Sequence, residues 1–377
     1  MKVKKVIKKK KIFIPILIVA VIFLGLLSID YLMLTHQLPK AGNEFALTDT
    51  VKKVIQENVE NGKHQSIFLG IIDEKNQEYF YYGETSKDGN PIDENTIFEI
   101  GSITKVFTTL VLADMAKKGE VNLNDPIEKF LPKDVITPAK NGKTITLFDL
   151  ATHSSGLPRM PLDFPIYDMD EQIQYDREEM YDSLSKIELT REIGSKYEYS
   201  NFGVSLLGHI LSLRANQSYE ELVQDRVLEK LGLDSTCIKQ CDALLDRFAK
   251  PYVLGIKVNE LNLSDEMASA GEIRSSGKDM VVFLSYAMGL QNSDLKESFE
   301  LTQKANHKIN ESLSIGLAWH ILQKEDRVII WHNGSTNGFS SFVGFDPKSK
   351  QGVVVLTNSL ISVDDIGYWL LDHGRQS

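Results

Sequence analysis

The sequence predicts an α+β fold in which a single antiparallel sheet is built from both ends of the chain and is flanked by helices. Two observations indicate this arrangement. β-rich runs lie near the two chain ends, within residues 66–83 and 314–358, and residues 120–255 between them carry mostly helical patterns and loops. The 377 residues are enough for one large domain, or two closely packed ones, in addition to a short terminal segment.

The individual elements follow from local periodicity and turn residues. Residues 49–62 fit a first amphipathic helix, and residues 66–73 and 78–83 fit the two strands of a hairpin. A helical pattern follows at residues 105–119 and closes at a glycine. Further helices are predicted over residues 147–152, 171–185, 204–215, 219–231, 278–290 and 364–373, and further strands over residues 314–322, 327–332, 340–346 and 352–358.

The charge of the chain is unevenly distributed. Residues 1–11 contain seven lysines and no acidic residue, although the whole chain has a net charge of −10. The body of the chain is therefore acidic. This argues against nucleic acid as a partner, because phosphate groups require a basic surface.

An uncharged run of 18 residues, residues 12–29, follows the lysines. As a helix it would span about 27 Å, close to the thickness of a bilayer core. The lysines would keep the N-terminus in the cytoplasm and place the rest of the chain outside the cell membrane. A retained anchor is favoured over a cleaved signal peptide, because the run is long and no Ala-x-Ala site follows it. A buried core helix does not fit the flanking lysines.

Three short motifs carry candidate chemistry, and the first is Ser102-Ile103-Thr104-Lys105 at the start of a predicted helix. Residues three positions apart share one face of a helix, so the Lys105 amine can reach the Ser102 hydroxyl. The electropositive helix N-terminus also favours negative charge developing on the serine oxygen. Alone, the motif fits equally well a serine that only caps the helix.

The second motif, residues 199–201, precedes a predicted helix, and the third, residues 332–334, ends a predicted strand. In the second, the Tyr199 phenol can relay a proton and the Asn201 amide can hold a substrate carbonyl. In the third, Gly334 would let a substrate approach the strand backbone beside His332. Taken alone, the second motif also fits a turn with a half-buried tyrosine, and the third also fits a structural histidine.

The cysteines, the other histidines and the absence of known motifs give less information about the function. Cys237 and Cys241 are too few for a disulfide scaffold, and their spacing permits a disulfide in a loop but not on a regular helix, so the pairing stays open. His153 and His209 are expected to be structural. The sequence has no metal-binding motif, so neither a metal nor another cofactor is expected. It also lacks the Gly-x-Ser-x-Gly motif of α/β-hydrolases.

In this order and spacing, the three motifs resemble those of class C β-lactamases and the related serine DD-peptidases, D-aminopeptidases and esterases. The resemblance extends to the sequence around residues 98–102, 150–158, 197–203, 270–275 and 338–340. It implies a β-lactamase/transpeptidase-like domain over residues 51–377, with a helical insertion at about residues 120–255. This domain would follow a cytoplasmic tail and anchor over residues 1–36 and a tether over residues 37–50.

The resemblance also implies a role for each motif residue. Ser102 would be the acylated nucleophile, and Lys105 and Tyr199 would share the proton transfers. Asn201 would hold the substrate amide. The backbone N–H groups of Ser102 and Ser335 would form the oxyanion hole.

His332 stands where class C β-lactamases usually carry a lysine, which implies weak β-lactamase activity. A neutral histidine there would bind a substrate carboxylate less firmly than a lysine and in a pH-dependent way near neutrality. The expected substrates are small molecules or peptidoglycan stem peptides, and the expected reaction is that of a D-Ala-D-Ala carboxypeptidase. Alternatives are a carboxylesterase, a weak β-lactamase or a penicillin-binding sensor without turnover. The intact motifs favour an enzyme.

Overall fold

The structure, a computed structural model, describes residues 45–164, 175–239 and 241–373. The predicted anchor over residues 12–29 lies outside these ranges, as do residues 37–44 of the predicted tether. Within the described ranges, no helix combines the length and the apolar character that are needed to cross a membrane.

The strands form one large sheet and three small ones. The large sheet has eight strands in the order β10-β11-β12-β13-β14-β15-β1-β2, with antiparallel neighbours, and β3, β9 and β6 form a small sheet. The strands are β1 Ser66–Ile72, β2 Gln77–Gly83, β3 Ile97–Glu99, β4 Ala139–Lys140, β5 Lys143–Thr144, β6 Thr236–Cys237, β7 Tyr252–Val253, β8 Ile256–Lys257, β9 Arg274–Ser276, β10 His307–Lys308, β11 Leu313–Ile315, β12 His320–Lys324, β13 Arg327–Ser335, β14 Ser340–Asp346 and β15 Gln351–Thr357.

The sheet confirms the predicted fold class, because strands from both chain ends pair directly. Ile67 in β1 lies opposite Thr357 in β15, near the other end of the chain. The predicted hairpin is present as β1 and β2, with Ile72 opposite Gln77 at its turn. The two ends of the chain therefore close one sheet.

Helices joined by loops and short strands occupy the chain between the two groups of strands. The helices are α1 Asp49–Glu60, α2 Thr104–Lys117, α3 Leu147–Ala151, α4 Arg177–Lys186, α5 Asn201–Ala215, α6 Tyr219–Val223, α7 Glu229–Leu231, α8 Gly277–Ala287, α9 Lys296–Thr302 and α10 Asp364–His373. Short 3-10 segments include Gly101–Ile103 and Asp265–Ala270.

The large sheet carries helices on both faces. A Cβ atom added at Gly70 in β1 would meet Val281 in α8, and one added at Gly367 in α10 would meet Phe342 in β14. Val343, the neighbour of Phe342, lies opposite Val354, which in turn lies beside Gly70. Adjacent residues of a strand point to opposite faces, so α8 and α10 pack on opposite sides of the sheet.

Two predicted elements are divided in the structure, and one small sheet was not predicted. The predicted strand over residues 314–322 is two strands, β11 and β12, which pair through Ile315 and His320. The connecting turn includes Ala318 with a positive φ of 63°. Because the residues of this turn are apolar like those of the two strands, hydrophobic periodicity does not show that one strand ends and another begins. The predicted helix over residues 219–231 is interrupted by a π-turn over Gln224–Leu228. The small sheet of β3, β9 and β6 was not predicted, since its strands are only two or three residues long.

Helix α2 lies at the centre of the fold. Every residue from Thr104 to Met115 is buried, as expected for a helix with neighbours on all sides. It contacts α5 and α9, and the ring of Phe107 stacks on Phe283 of α8 with ring centroids 4.1 Å apart. This packing fixes the position of the residues at its N-terminal end.

Cys237 and Cys241 form a disulfide in the loop that follows β6. The sequence alone left this pairing open. The loop geometry brings their Cα atoms to 5.6 Å, which lies within the range that a disulfide spans.

Candidate active site

Ser102 and Lys105 meet at the N-terminal end of α2. Ser102 lies in the 3-10 turn Gly101–Ile103 that leads into the helix, and its side chain is partly exposed. The Lys105 side chain is fully buried. Its Nζ donates to Ser102 Oγ at 3.1 Å and to the Ala270 carbonyl oxygen at 2.6 Å. The serine hydroxyl is thus open to the cleft and backed by a buried amine.

The charge state of Lys105 is set by its burial. Desolvation lowers its pKa well below the ordinary value of 10.5, and the nearby Arg159 charge lowers it further. A neutral amine can donate to the Ala270 carbonyl and still offer a lone pair to the Ser102 hydroxyl. Lys105 can therefore act as a proton acceptor.

Tyr199 lies beside both residues. Its ring centroid is 4.9 Å from Lys105 Nζ, which itself lies 3.1 Å from Ser102 Oγ. Burial raises the pKa of Tyr199 to about 12, against the lowering effects of the Ser102 hydrogen bond and the Arg159 charge. The phenol is therefore protonated at neutral pH and can donate a proton to a neighbouring group.

His153 supports Tyr199 from behind, which agrees with its expected structural role. The two rings stack with centroids 4.4 Å apart. His153 Nδ1 accepts a hydrogen bond from the Ser200 backbone N–H at 3.1 Å, and its side chain is fully buried. This contact fixes the Tyr199 ring at the N-terminus of α5. His209 is also structural, with Nε2 at 2.7 Å from the Tyr181 hydroxyl.

Strand β13 passes directly against the turn that holds the serine. A Cβ atom added at Gly334 would lie 2.0 Å from the Ile100 carbonyl oxygen, and one added at Gly101 would lie 2.7 Å from the Ser335 nitrogen. Any side chain at either glycine would push the strand and the turn apart. The sequence suggested Gly334 as a place for substrate approach, whereas its close neighbour in the structure is the chain's own backbone. The contact brings the Ser335 backbone beside Ser102.

The side chain of His332, in the same strand, is more buried than expected. Its side chain is 1 % exposed. Nδ1 lies 2.6 Å from the Asn333 carbonyl oxygen, so Nδ1 carries the proton of the neutral ring. Burial lowers the pKa of His332 well below 6.5, helped by the charges of His320 and Lys105. Burial therefore favours the neutral ring and argues against the pH-dependent carboxylate binding near neutrality that the sequence predicted.

Asn333 points away from the cleft, as the alternation of a strand predicts. Its Nδ2 donates to Asp364 Oδ2 at 2.6 Å on the other side of the sheet. Burial raises the pKa of Asp364 to about 7. Removing the Asn333 amide would take a hydrogen bond from this carboxyl group. It has a structural role.

Asn201 and Arg159 complete the rim of the site. Asn201 is the first residue of α5, its side chain is partly exposed, and its Nδ2 lies 3.3 Å from Met160 Sδ. Arg159 is exposed, and its guanidinium carbon lies 5.0 Å from the centroid of the Tyr199 ring. The sequence argument missed Arg159. The one available signal was its position next to Pro158, at the end of a loop that resembles the family.

A buried carboxyl pair lies beneath the site. Glu99 and Glu272 flank Arg274, whose Nη2 is 3.9 Å from Glu99 Oε1 and 3.2 Å from Glu272 Oε1. The two carboxyl groups also accept hydrogen bonds from the backbone N–H groups of Leu261 and Leu263. Burial raises the pKa of each acid to about 7, and the Arg274 charge opposes this rise. A single arginine thus contacts two carboxyl groups, and burial favours the protonated form of each.

We expect this pair to make the protein less stable as the pH rises from 5 to 8. The folded state keeps protons that the unfolded state releases near pH 4.5, so the free energy of unfolding falls until the folded groups have titrated. Glu272→Gln should make the fall shallower by roughly 1–3 kcal/mol. Melting temperatures across this pH range would test it, with exposed Glu300→Gln as the matched control. Equal slopes for wild type and Glu272→Gln would contradict the expectation.

Comparison with known proteins agrees with this geometry. The family model described as Beta-lactamase matches residues 51–373. A β-lactamase of Pseudomonas fluorescens is 26 % identical over 349 residues, which cover 82 % of this chain and 93 % of that protein.

Solved structures give the same result for the fold. The β-lactamase/D-alanine carboxypeptidase of Pseudomonas syringae superposes with a TM-score of 0.78 at 23 % identity, over 88 % of this chain and 100 % of that one. A class C β-lactamase of Rhodobacter sphaeroides gives 0.75 at 23 % identity, over 85 % of this chain and 98 % of that one. The β-lactamase/transpeptidase-like fold that the motifs implied is confirmed.

Proposed function

Because this chain belongs to the beta-lactamase family of serine hydrolases, we propose that it cleaves D-alanyl peptides, or similar amides and esters, through an acyl-enzyme on Ser102. One observation carries the proposal. The partly exposed Ser102 hydroxyl lies 3.1 Å from the Nζ of Lys105, and burial favours the neutral form of that amine. A serine with an adjacent base is the arrangement that nucleophilic catalysis requires.

The proposed reaction has two steps. Ser102 Oγ attacks the substrate carbonyl carbon while Lys105 takes the hydroxyl proton, and Tyr199 donates a proton to the leaving group. The backbone N–H groups of Ser102 and Ser335 stabilise the oxyanion, and Asn201 holds the substrate amide. Water then attacks the acyl-enzyme, and the transfers run in reverse to release the acid and restore Ser102.

Among the possible substrates, we favour peptides that end in D-alanine. Relatives of this fold include proteins named for both β-lactamase and D-alanine carboxypeptidase activity. His332 is buried and its pKa lies well below 6.5, so it supplies no positive charge of the kind that a strand lysine would offer to a β-lactam carboxylate. The same lack of charge applies to the carboxylate of a terminal D-alanine, so the preference for D-alanyl peptides depends on the names of these relatives.

We also propose that residues 12–29 anchor the enzyme in the cell membrane, with the N-terminus in the cytoplasm and the catalytic domain outside. The 18-residue uncharged run and the seven lysines before it support this placement. An enzyme held there would face the cell wall, where D-alanyl stem peptides are found.

A substrate panel tests the proposed function. The full-length chain in detergent would be incubated with a D-Ala-D-Ala peptide, a chromogenic cephalosporin and p-nitrophenyl acetate, with fluorescent penicillin as the acylating probe. We expect labelling by penicillin, release of D-alanine, and slower cephalosporin turnover. Labelling without turnover of any substrate would reject the hydrolase and support a penicillin-binding sensor instead.

A further inference from the structure

We propose that Arg159 forms an anion subsite at the rim of the cleft, which binds a carboxylate group of the substrate. The inference deepens the proposed function and depends on the cleft around Ser102 being the substrate site. It assigns substrate recognition to a residue outside the three sequence motifs.

The position of the guanidinium group is the first argument. Arg159 is exposed, and its guanidinium carbon lies 5.0 Å from the centroid of the Tyr199 ring. The same ring lies 4.9 Å from Lys105 Nζ, which is 3.1 Å from Ser102 Oγ. Arg159 therefore lies on the ring that flanks the Ser102–Lys105 pair, so a substrate acylating Ser102 would lie within reach of it.

The backbone of Arg159 is held in place, which is the second argument. Its carbonyl oxygen accepts hydrogen bonds from the backbone N–H groups of Asn201 at 2.9 Å and Phe202 at 3.2 Å. The preceding carbonyl, that of Pro158, accepts from Ser200 Oγ at 2.6 Å. The loop is thus attached to the N-terminus of α5, and the arginine side chain starts from a fixed point beside Tyr199.

The third argument concerns the charge of Arg159. No acidic side chain in the described part of the chain forms an ion pair with it, whereas nearby Arg191 pairs with Glu198 at 3.1 Å. A guanidinium group donates two parallel hydrogen bonds to a carboxylate. With no ion-pair partner among the described residues, the fork of Arg159 suits a substrate anion.

The other basic side chains of the cleft do not compete for this role. Lys105 and His332 are both buried, with 0 % and 1 % of their surface exposed, and burial favours the neutral form of each. An anionic group that enters the cleft would therefore meet Arg159 as the exposed, permanently charged group.

A matched pair of substrates tests the subsite. One is a D-alanyl ester substrate with a free terminal carboxylate, and the other is the same compound with a terminal carboxamide. For Arg159→Gln we expect kcat/KM to fall about 10- to 100-fold on the carboxylate, mainly through KM, and less than about 3-fold on the carboxamide. Arg159→Lys should recover part of the loss.

The control variant is Arg214→Gln. Arg214 is exposed and lies near the C-terminal end of the same helix whose N-terminus bears Asn201, about 20 Å away along the helix axis. It should leave both substrates unchanged. Equal losses on both substrates for Arg159→Gln would overturn the subsite, because they would mean that Arg159 acts only on Tyr199.

A binding measurement separates this inference from the proposed reaction. Calorimetry on the Ser102→Ala chain should show tighter binding of the carboxylate peptide than of its carboxamide, and the further change Arg159→Gln should abolish the difference. This result would support the subsite even if the wild-type chain turned over neither compound. Equal affinity of Ser102→Ala for both peptides would overturn the subsite whatever the activity.

Discussion

Ser102→Ala is expected to abolish covalent labelling by fluorescent penicillin and to lower turnover of any ester or peptide substrate by more than about 10³-fold. The change removes the atom that would bond to the acyl group. Lys105 and Tyr199 would remain, but neither can replace the hydroxyl in the position that β13 and α2 fix. The intact mass of the protein after incubation with penicillin measures the effect directly.

Two measurements make this result specific to the serine. Ser312→Ala, at an exposed serine in the turn between β10 and β11, should label like the wild type. An unchanged melting temperature for Ser102→Ala would show that the loss is chemical. If Ser102→Ala hydrolysed p-nitrophenyl acetate at the wild-type rate, the serine-nucleophile mechanism would be rejected.

Lys105→Met is expected to slow acylation by about 10²–10⁴-fold, the usual contribution of a positioned general base. Methionine keeps the apolar stem but removes the amine that lies 3.1 Å from Ser102 Oγ. The Ser102 hydroxyl would remain in place, so labelling should still occur over long incubation. The observed rate of penicillin labelling under single-turnover conditions measures this.

The same measurement needs a control for the fold, because Lys105 Nζ also donates to the Ala270 carbonyl at 2.6 Å. Losing that hydrogen bond should lower stability by roughly 1–3 kcal/mol, so rates would be compared well below the melting temperature. Lys117→Met, at the exposed end of the same helix, should acylate normally. A Lys105→Met chain that acylates as fast as wild type would show that Tyr199, rather than the lysine, accepts the proton.

The fold class followed from the sequence because it depends on local patterns. The β1–β2 hairpin, strand β14 over Ser340–Asp346 and helix α10 over Asp364–His373 were located to within a residue or two. Alternating or 3.6-residue hydrophobic periodicity reports which face of an element is buried, whatever the element packs against. The split of the 314–322 strand was missed because its turn is as apolar as its flanks.

The sequence by itself also indicated the candidate catalytic side chains, through the order of three short motifs, and it placed Lys105 within reach of Ser102 by helical spacing alone. Only the tertiary structure decided the state of those side chains. Burial of His332 lowers its pKa, a loop placed Arg159 over Tyr199, and the Ala270 carbonyl, 165 residues further along the chain, holds the Lys105 amine. Charge state and solvent access depend on neighbours that are distant in sequence, because desolvation and Coulomb interactions act through space.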